Sequence, residues 1–241
     1  MFHLRHHHLF LAAAAATFLS AASAQERAAQ QYAGLSAQLA AGESGLPGRS
    51  VALAVDLGPP DAEERVTDLG NGREVFRYRM AFNQIAEGWS WQPNANPAVD
   101  DYYRFKFLPV QSEWVERGEY AQEDKIGTPQ LTHVRWRYDY FLAFDNLYAF
   151  YPRQVDDDAG FVAELPAGSS AHLSLRAHLR LAPPVLSEST TFWKATHAHP
   201  DDFTLKKRYF VGALTALEFV DQQTGKIWCR IEPGQGRCQA P

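Results

Sequence analysis

The sequence predicts a mainly-β fold, an antiparallel sandwich or partly closed barrel, with an N-terminal helix and at most one further short helix. Three observations carry this. Apolar and polar residues alternate with period two in segment after segment, as half-buried strands require. Asn-Gly, Pro-Pro and Gln-Thr-Gly clusters punctuate those segments with turn chemistry. Helical periodicity is confined to one stretch near the start and one near the middle.

Residues 1–24 read as an export signal. Arg5 supplies the positive end, Leu9 to Leu19 the uncharged apolar run, and Ala22 and Ala24 the small residues a signal peptidase accepts. The run is too short to span a bilayer, and no later stretch approaches the roughly 20 apolar residues a membrane helix needs. Cleavage after Ala24 would leave 217 residues, 25–241, as a single mainly-β domain with 22 basic and 28 acidic side chains, a net charge of −6. The expected destination is the periplasm or the extracellular space. That acidic balance argues against nucleic acid as a partner, because displacing counterions demands a basic face.

Residues 26–41 place Tyr32, Leu35 and Leu39 at helical spacing, with Gly42 as the stop. Strands are expected next at Ser50 to Leu57, around Val75 to Phe82 after the Asn71-Gly72 turn, at Tyr103 to Phe107, and at Val134 to Tyr138. Tyr140, Phe144, Leu147, Tyr148 and Tyr151 fit a second helix ended by Pro152. The clearest strand is His172 to Leu181, where Leu173, Leu175, Ala177, Leu179 and Leu181 alternate with His172, Ser174, Arg176, His178 and Arg180. Phe203 to Val220 and Lys226 to Glu232 complete the series around an Asp221 to Gly225 turn.

Only Cys229 and Cys238 are present, with eight residues between them and Pro233-Gly234 midway, in a chain expected to be exported. An even count in an oxidising compartment points to a structural disulfide between them. A redox pair would want the closer Cys-x-x-Cys spacing.

The chemistry-bearing patterns are few. His197-Ala198-His199-Pro200-Asp201-Asp202 resembles, in its first three ligands His197, His199 and Asp201, the His-x-His-x-Asp-His metal motif of metallo-β-lactamase-fold hydrolases. Asp202 stands at the sixth position where that family has histidine, and no histidine follows His199, so neither a metal nor any other cofactor is expected. No Gly-x-Ser-x-Gly elbow, Ser-x-x-Lys pair or phosphate-binding glycine loop occurs. Acid pairs at Asp100-Asp101, Glu123-Asp124 and Asp156-Asp157-Asp158 would suit a glycan hydrolase only if two carboxyls converged on one cleft. Trp89, Trp91, Tyr102 and Tyr103 would suit stacking on sugar rings.

The remaining candidate is the polar face of the His172 to Arg180 strand. Arg176, His178 and Arg180, with His172, form a basic ladder on an acidic protein. Guanidinium forks match carboxylates, phosphates and sulfates. The leading expectation is a non-catalytic binding domain of the cell envelope, whose ligand is an anionic small molecule, a glycan or an envelope protein. A secreted hydrolase of envelope glycans is the alternative.

Overall fold

The computed structural model describes residues 28–55, 66–79, 105–123, 129–146, 160–196 and 198–234. One helix, α1 (Ala28–Ala40), precedes nine strands: β1 (Ser50–Val55), β2 (Val66–Asp68), β3 (Arg73–Arg79), β4 (Lys106–Glu123), β5 (Pro129–Phe144), β6 (Gly160–Pro166), β7 (Leu173–Trp193), β8 (Asp201–Asp221) and β9 (Ile227–Ile231). A 3-10 turn, Ser169–His172, leads into β7. The mainly-β class with an N-terminal helix is therefore what the chain adopts.

Six strands form one mixed sheet in the order β1-β7-β8-β5-β4, with β9 also on β8. Every pairing in it is antiparallel except β5 with β8, which run parallel from His133–Asp201 to Phe144–Gly212. Once β5 ends, β9 takes over the same edge of β8 opposite Leu217 to Val220. The sheet curls until its end strands β1 and β4 approach each other, yet no ladder joins them. It is not a closed barrel.

Helix α1 lies over the gap. Tyr32 and Leu35, three apart on one face, are buried. The Tyr32 ring meets Phe210 and Tyr140 edge-on, at 5.5 and 5.9 Å between centroids. Its hydroxyl donates to the Ser187 carbonyl of β7 at 3.0 Å, and the Ala29 N–H donates to Gln111 of β4 at 3.3 Å. The helix thus ties the two sides of the curl together. Its neighbours in the concave core include Leu53, Leu142, Leu175, Leu179, Phe210 and Phe219. The smaller sheet, β2-β3-β6, closes one end of that core through Phe76, whose ring sits edge-on to Phe219.

The second helix expected from Tyr140 is corrected by the structure over its described part: Tyr140 to Phe144 end β5. The reason is burial on both faces. Tyr140, Leu142 and Phe144 enter the concave core, while Phe141 and Ala143 join Phe107, Tyr209 and Val211 in a second apolar cluster on the opposite face. A strand covered on both sides loses its alternation and resembles a helical apolar run. Residues 147–151, the rest of that expected helix, lie outside the described residues.

Among the described residues no helix is long and apolar enough to cross a membrane. The proposed signal, residues 1–24, lies outside them.

Candidate functional site

The alternation along β7 places its side chains as the sequence implies. Leu175, Ala177, Leu179 and Leu181 are buried in the core, so Arg176, His178 and Arg180 project from the outer face. Their cross-strand neighbours decide how open they are. Toward β1, Arg176, His178 and Arg180 stand opposite Ala54, Ala52 and Ser50. Toward β8, His178 stands opposite Ala216 and Arg180 opposite Ala213. Small side chains flank most of the ladder; Arg176 and His178 are partly buried and Arg180 is exposed.

One acid sits within this face. Glu218 of β8, itself 3% exposed, lies opposite Arg176 on one side and Arg230 of β9 on the other. Its carboxylate meets His178 Nε2 at 2.9 Å and Arg176 Nη1 at 3.6 Å, and also pairs with Arg230. Burial alone would raise the Glu218 pKa. His178 and Arg230 outweigh that and hold it below the ordinary carboxylate value. Arg230 is answered by Glu232 as well, at 2.6 Å, so on β7 it is Arg176 and His178 that share Glu218, and Arg180 stands exposed beyond them.

Arg176 and His178 open into a cleft of ≈ 680 Å³ between α1 and the outer edge of β1, which no strand among the described residues pairs. The helix contributes Gln30, Gln31, Gly34, Leu35 and Gln38, and the strand contributes Arg49 to Ala52. Arg49 Nη1 donates to the side-chain Oε1 of Gln38 at 3.0 Å, and Gln31 Nε2 donates to the main-chain carbonyl of Ala52 at 3.0 Å. Arg49, Arg176, His178, Ser50 and three glutamines line this space, and among the described residues no carboxylate lines it.

His172 departs from the expectation. It ends the 3-10 turn instead of opening the strand, its ring is bonded to Gln223, and it does not line the cleft. Of the suggested metal ligands, His197 lies outside the described residues. Asp201 pairs with Arg135 at 3.5 Å, and the His199 N–H donates to Thr196. Asp202, the residue at the motif's sixth position, is held by Lys194 and Tyr120 at 2.8 and 2.9 Å. Among the described residues no three His, Cys, Asp or Glu side chains converge as a metal would need.

Cys229 is fully buried on β9, and Pro233-Gly234 turns beyond it with Gly234 at φ 83°, as a type II turn asks of its glycine. Cys238, Asp100-Asp101, Asp156-Asp157-Asp158, Trp89, Trp91, Tyr102 and Tyr103 lie outside the described residues.

A second polar cluster sits inside the curl. Arg208 of β8 donates to Glu188 at 2.7 Å and to the Tyr140 hydroxyl at 3.0 Å, and lies 4.3 Å from the centre of the Tyr138 ring. Lys206 reaches the other Glu188 oxygen at 3.1 Å, and Tyr140 donates in turn to Glu113. Burial would raise the Glu188 pKa, but Arg208 and Lys206 hold it below the usual value. Burial pushes both Tyr32 and Tyr140 up to about 12, so they remain neutral donors. Each of these charges is answered by a neighbour, which marks a structural network.

Sequence reading missed Arg49, Glu218 and the glutamine wall. The wall had a signal: Gln30, Gly34 and Gln38 recur every four residues, one helical face. Glu218 had none, because its meaning depends on which strand lies beside β7. The chain matches no known family model, no curated protein and no solved structure.

Proposed function

We propose that this is an exported, non-catalytic binding domain that holds an anionic ligand in the cleft between α1 and β1. The observation that carries the reading is the lining itself: Arg49, Arg176 and His178 with amide and hydroxyl donors, and no carboxylate among the described residues, on a chain of net charge −5. Guanidinium and amide donors together suit carboxylate, phosphate or sulfate groups carried on a polar body. Glu218 keeps Arg176 and His178 oriented from behind while leaving the front of the cleft cationic. Arg180, one step along the same face, adds attraction for the approaching ligand.

A heparin-derived sulfated oligosaccharide serves as the probe, titrated into residues 25–241 by calorimetry. Changing Arg49 and Arg176 together to Gln should weaken binding at least about tenfold and flatten its salt dependence. Equal affinity of the double variant and the parent would defeat the reading.

A further inference from the structure

The cleft is bordered by strand edge as well as by side chains, and the backbone geometry of β1 shows what that edge offers. Arg49 and Leu181 are bonded across the β1/β7 ladder: the Leu181 N–H donates to the Arg49 carbonyl at 2.9 Å. In an antiparallel ladder bonded and non-bonded residues alternate, so Val51, Leu53 and Val55 also bond toward β7. Ser50, Ala52 and Ala54 therefore turn both their N–H and C=O groups toward the free edge. The Gln31 side chain confirms this direction, since its Nε2 donates to the Ala52 carbonyl, the bond an adjoining strand's N–H would make.

Among the described residues no strand pairs with that edge. Ser50–Val55 itself holds no charge, no proline and no bulge; α1 borders this edge across the cleft and meets it through Gln31, and β4 comes near it without pairing. Its three outward-bonding residues also have the smallest side chains, and these stand directly opposite the basic ladder of β7.

Building on the anion-binding reading, we propose that the ligand is an acidic peptide segment of a partner protein, bound as an extra strand along the free edge of β1. Strands in a sheet lie about 4.8 Å apart, so the added strand would run roughly 10 Å from β7. Glutamate and arginine side chains reaching over Ser50, Ala52 and Ala54 span that distance. The periods also agree. Residues two apart rise about 7 Å on either strand, so acids at alternate positions fall in step with Arg176, His178 and Arg180. Main-chain bonds would supply affinity and the charge ladder would supply specificity for alternating acidic sequences. Gln31 would release the Ala52 carbonyl as the strand enters.

The test measures fluorescence anisotropy of labelled acetyl-Val-Glu-Val-Glu-Val-Glu-Val-amide against residues 25–241, beside the sulfated oligosaccharide. Two arms separate strand addition from simple charge attraction. Ala52→Pro removes an edge N–H that β7 does not use, and thermal melting checks that the variant is folded. N-methylation of alternate peptide residues, in each of the two phases, removes the same bonds from the ligand and leaves the protein untouched. The expected result is a peptide affinity at least about tenfold weaker with Ala52→Pro and with one N-methyl phase, while oligosaccharide binding changes less than about twofold. Peptide binding indifferent to both N-methyl phases, or absent while the oligosaccharide binds, would overturn strand addition and leave the anion cleft standing. Failure of both probes to bind would overturn both.

Discussion

Gly212 of β8 packs against the backbone of β7 at Arg180, and two glycine-to-alanine changes of opposite sign test that packing. A Cβ placed on Gly212 would stand 2.2 Å from the Arg180 carbonyl oxygen, 2.9 Å from its carbon and 3.0 Å from Leu179 Cγ. Cβ contacts essentially never fall below 3.0 Å, so a backbone atom in the middle of the sheet must move by at least 0.8 Å. Overpacking of this kind costs about 1–3 kcal/mol. Alanine restricts the unfolded chain, which returns roughly 0.4–1 kcal/mol, so Gly212→Ala should still destabilise by about 1–2 kcal/mol. For a chain of this length the melting temperature should fall by roughly 2–8 °C. Gly34 is the control: it lies inside α1, and its Cβ would meet nothing within 4 Å. Gly34→Ala should stabilise by about 0.5–1 kcal/mol through helix propensity alone. Urea and thermal melts of both variants read the pair. A Gly212→Ala protein as stable as the parent would refute the close approach.

Acid should unfold the protein through its shared carboxylates. Glu188 and Glu218 both titrate below their ordinary value of 4.5, so the stability they provide is present above that pH and is lost as pH falls through their lower folded values. Urea melts across that range should show a decline below about pH 4.5, shallower in Glu188→Gln, which should also cost roughly 1–3 kcal/mol at pH 7. Tyr32→Phe removes the buried bond to the Ser187 carbonyl and should cost about 1–3 kcal/mol; in the parent, absorbance near 295 nm should show a component titrating near pH 12 that this variant diminishes. The exported product should begin at Gln25 by N-terminal sequencing and show no titratable thiol when unfolded without reductant. Cys229→Ser with Cys238→Ser should then lower stability by roughly 2–3 kcal/mol in urea melts.

Where one face of a strand meets solvent or small side chains, the sequence showed the structure directly. Leu173 to Leu181 alternate as expected, and all five apolar members are buried. Legibility failed where both faces are covered, as at Tyr140 to Phe144, whose aromatic run looks helical. It failed again over Gln111 to Gln122 and Ala182 to Trp193, polar extensions whose strand character comes from long pairing with β5 and β8. Half of the candidate site could be read beforehand, since Arg176 and His178 share a strand face. Their neighbours could not. Glu218 lies 42 positions from Arg176 in the chain, and Gln31 lies 21 from Ala52, so adjacency depends on topology that local pattern does not encode.

The order in which the chain can assemble follows from where α1 and β1 are docked. The β4/β5 and β7/β8 pairs are hairpin-like and close between strands that follow each other in sequence. Their closure costs little chain entropy, and they suit early formation. β1 must instead find β7 about 130 residues downstream, as Ser50 opposite Arg180, and Tyr32 bonds to Ser187 across 155 residues. The segment that completes the cleft is therefore the first made and among the last able to settle, and it is the natural unit to detach first from the folded molecule. A ligand wedged against β1 would act as a latch on that segment. Hydrogen exchange should slow in α1 and β1 on binding while β8, held on both edges, stays unchanged.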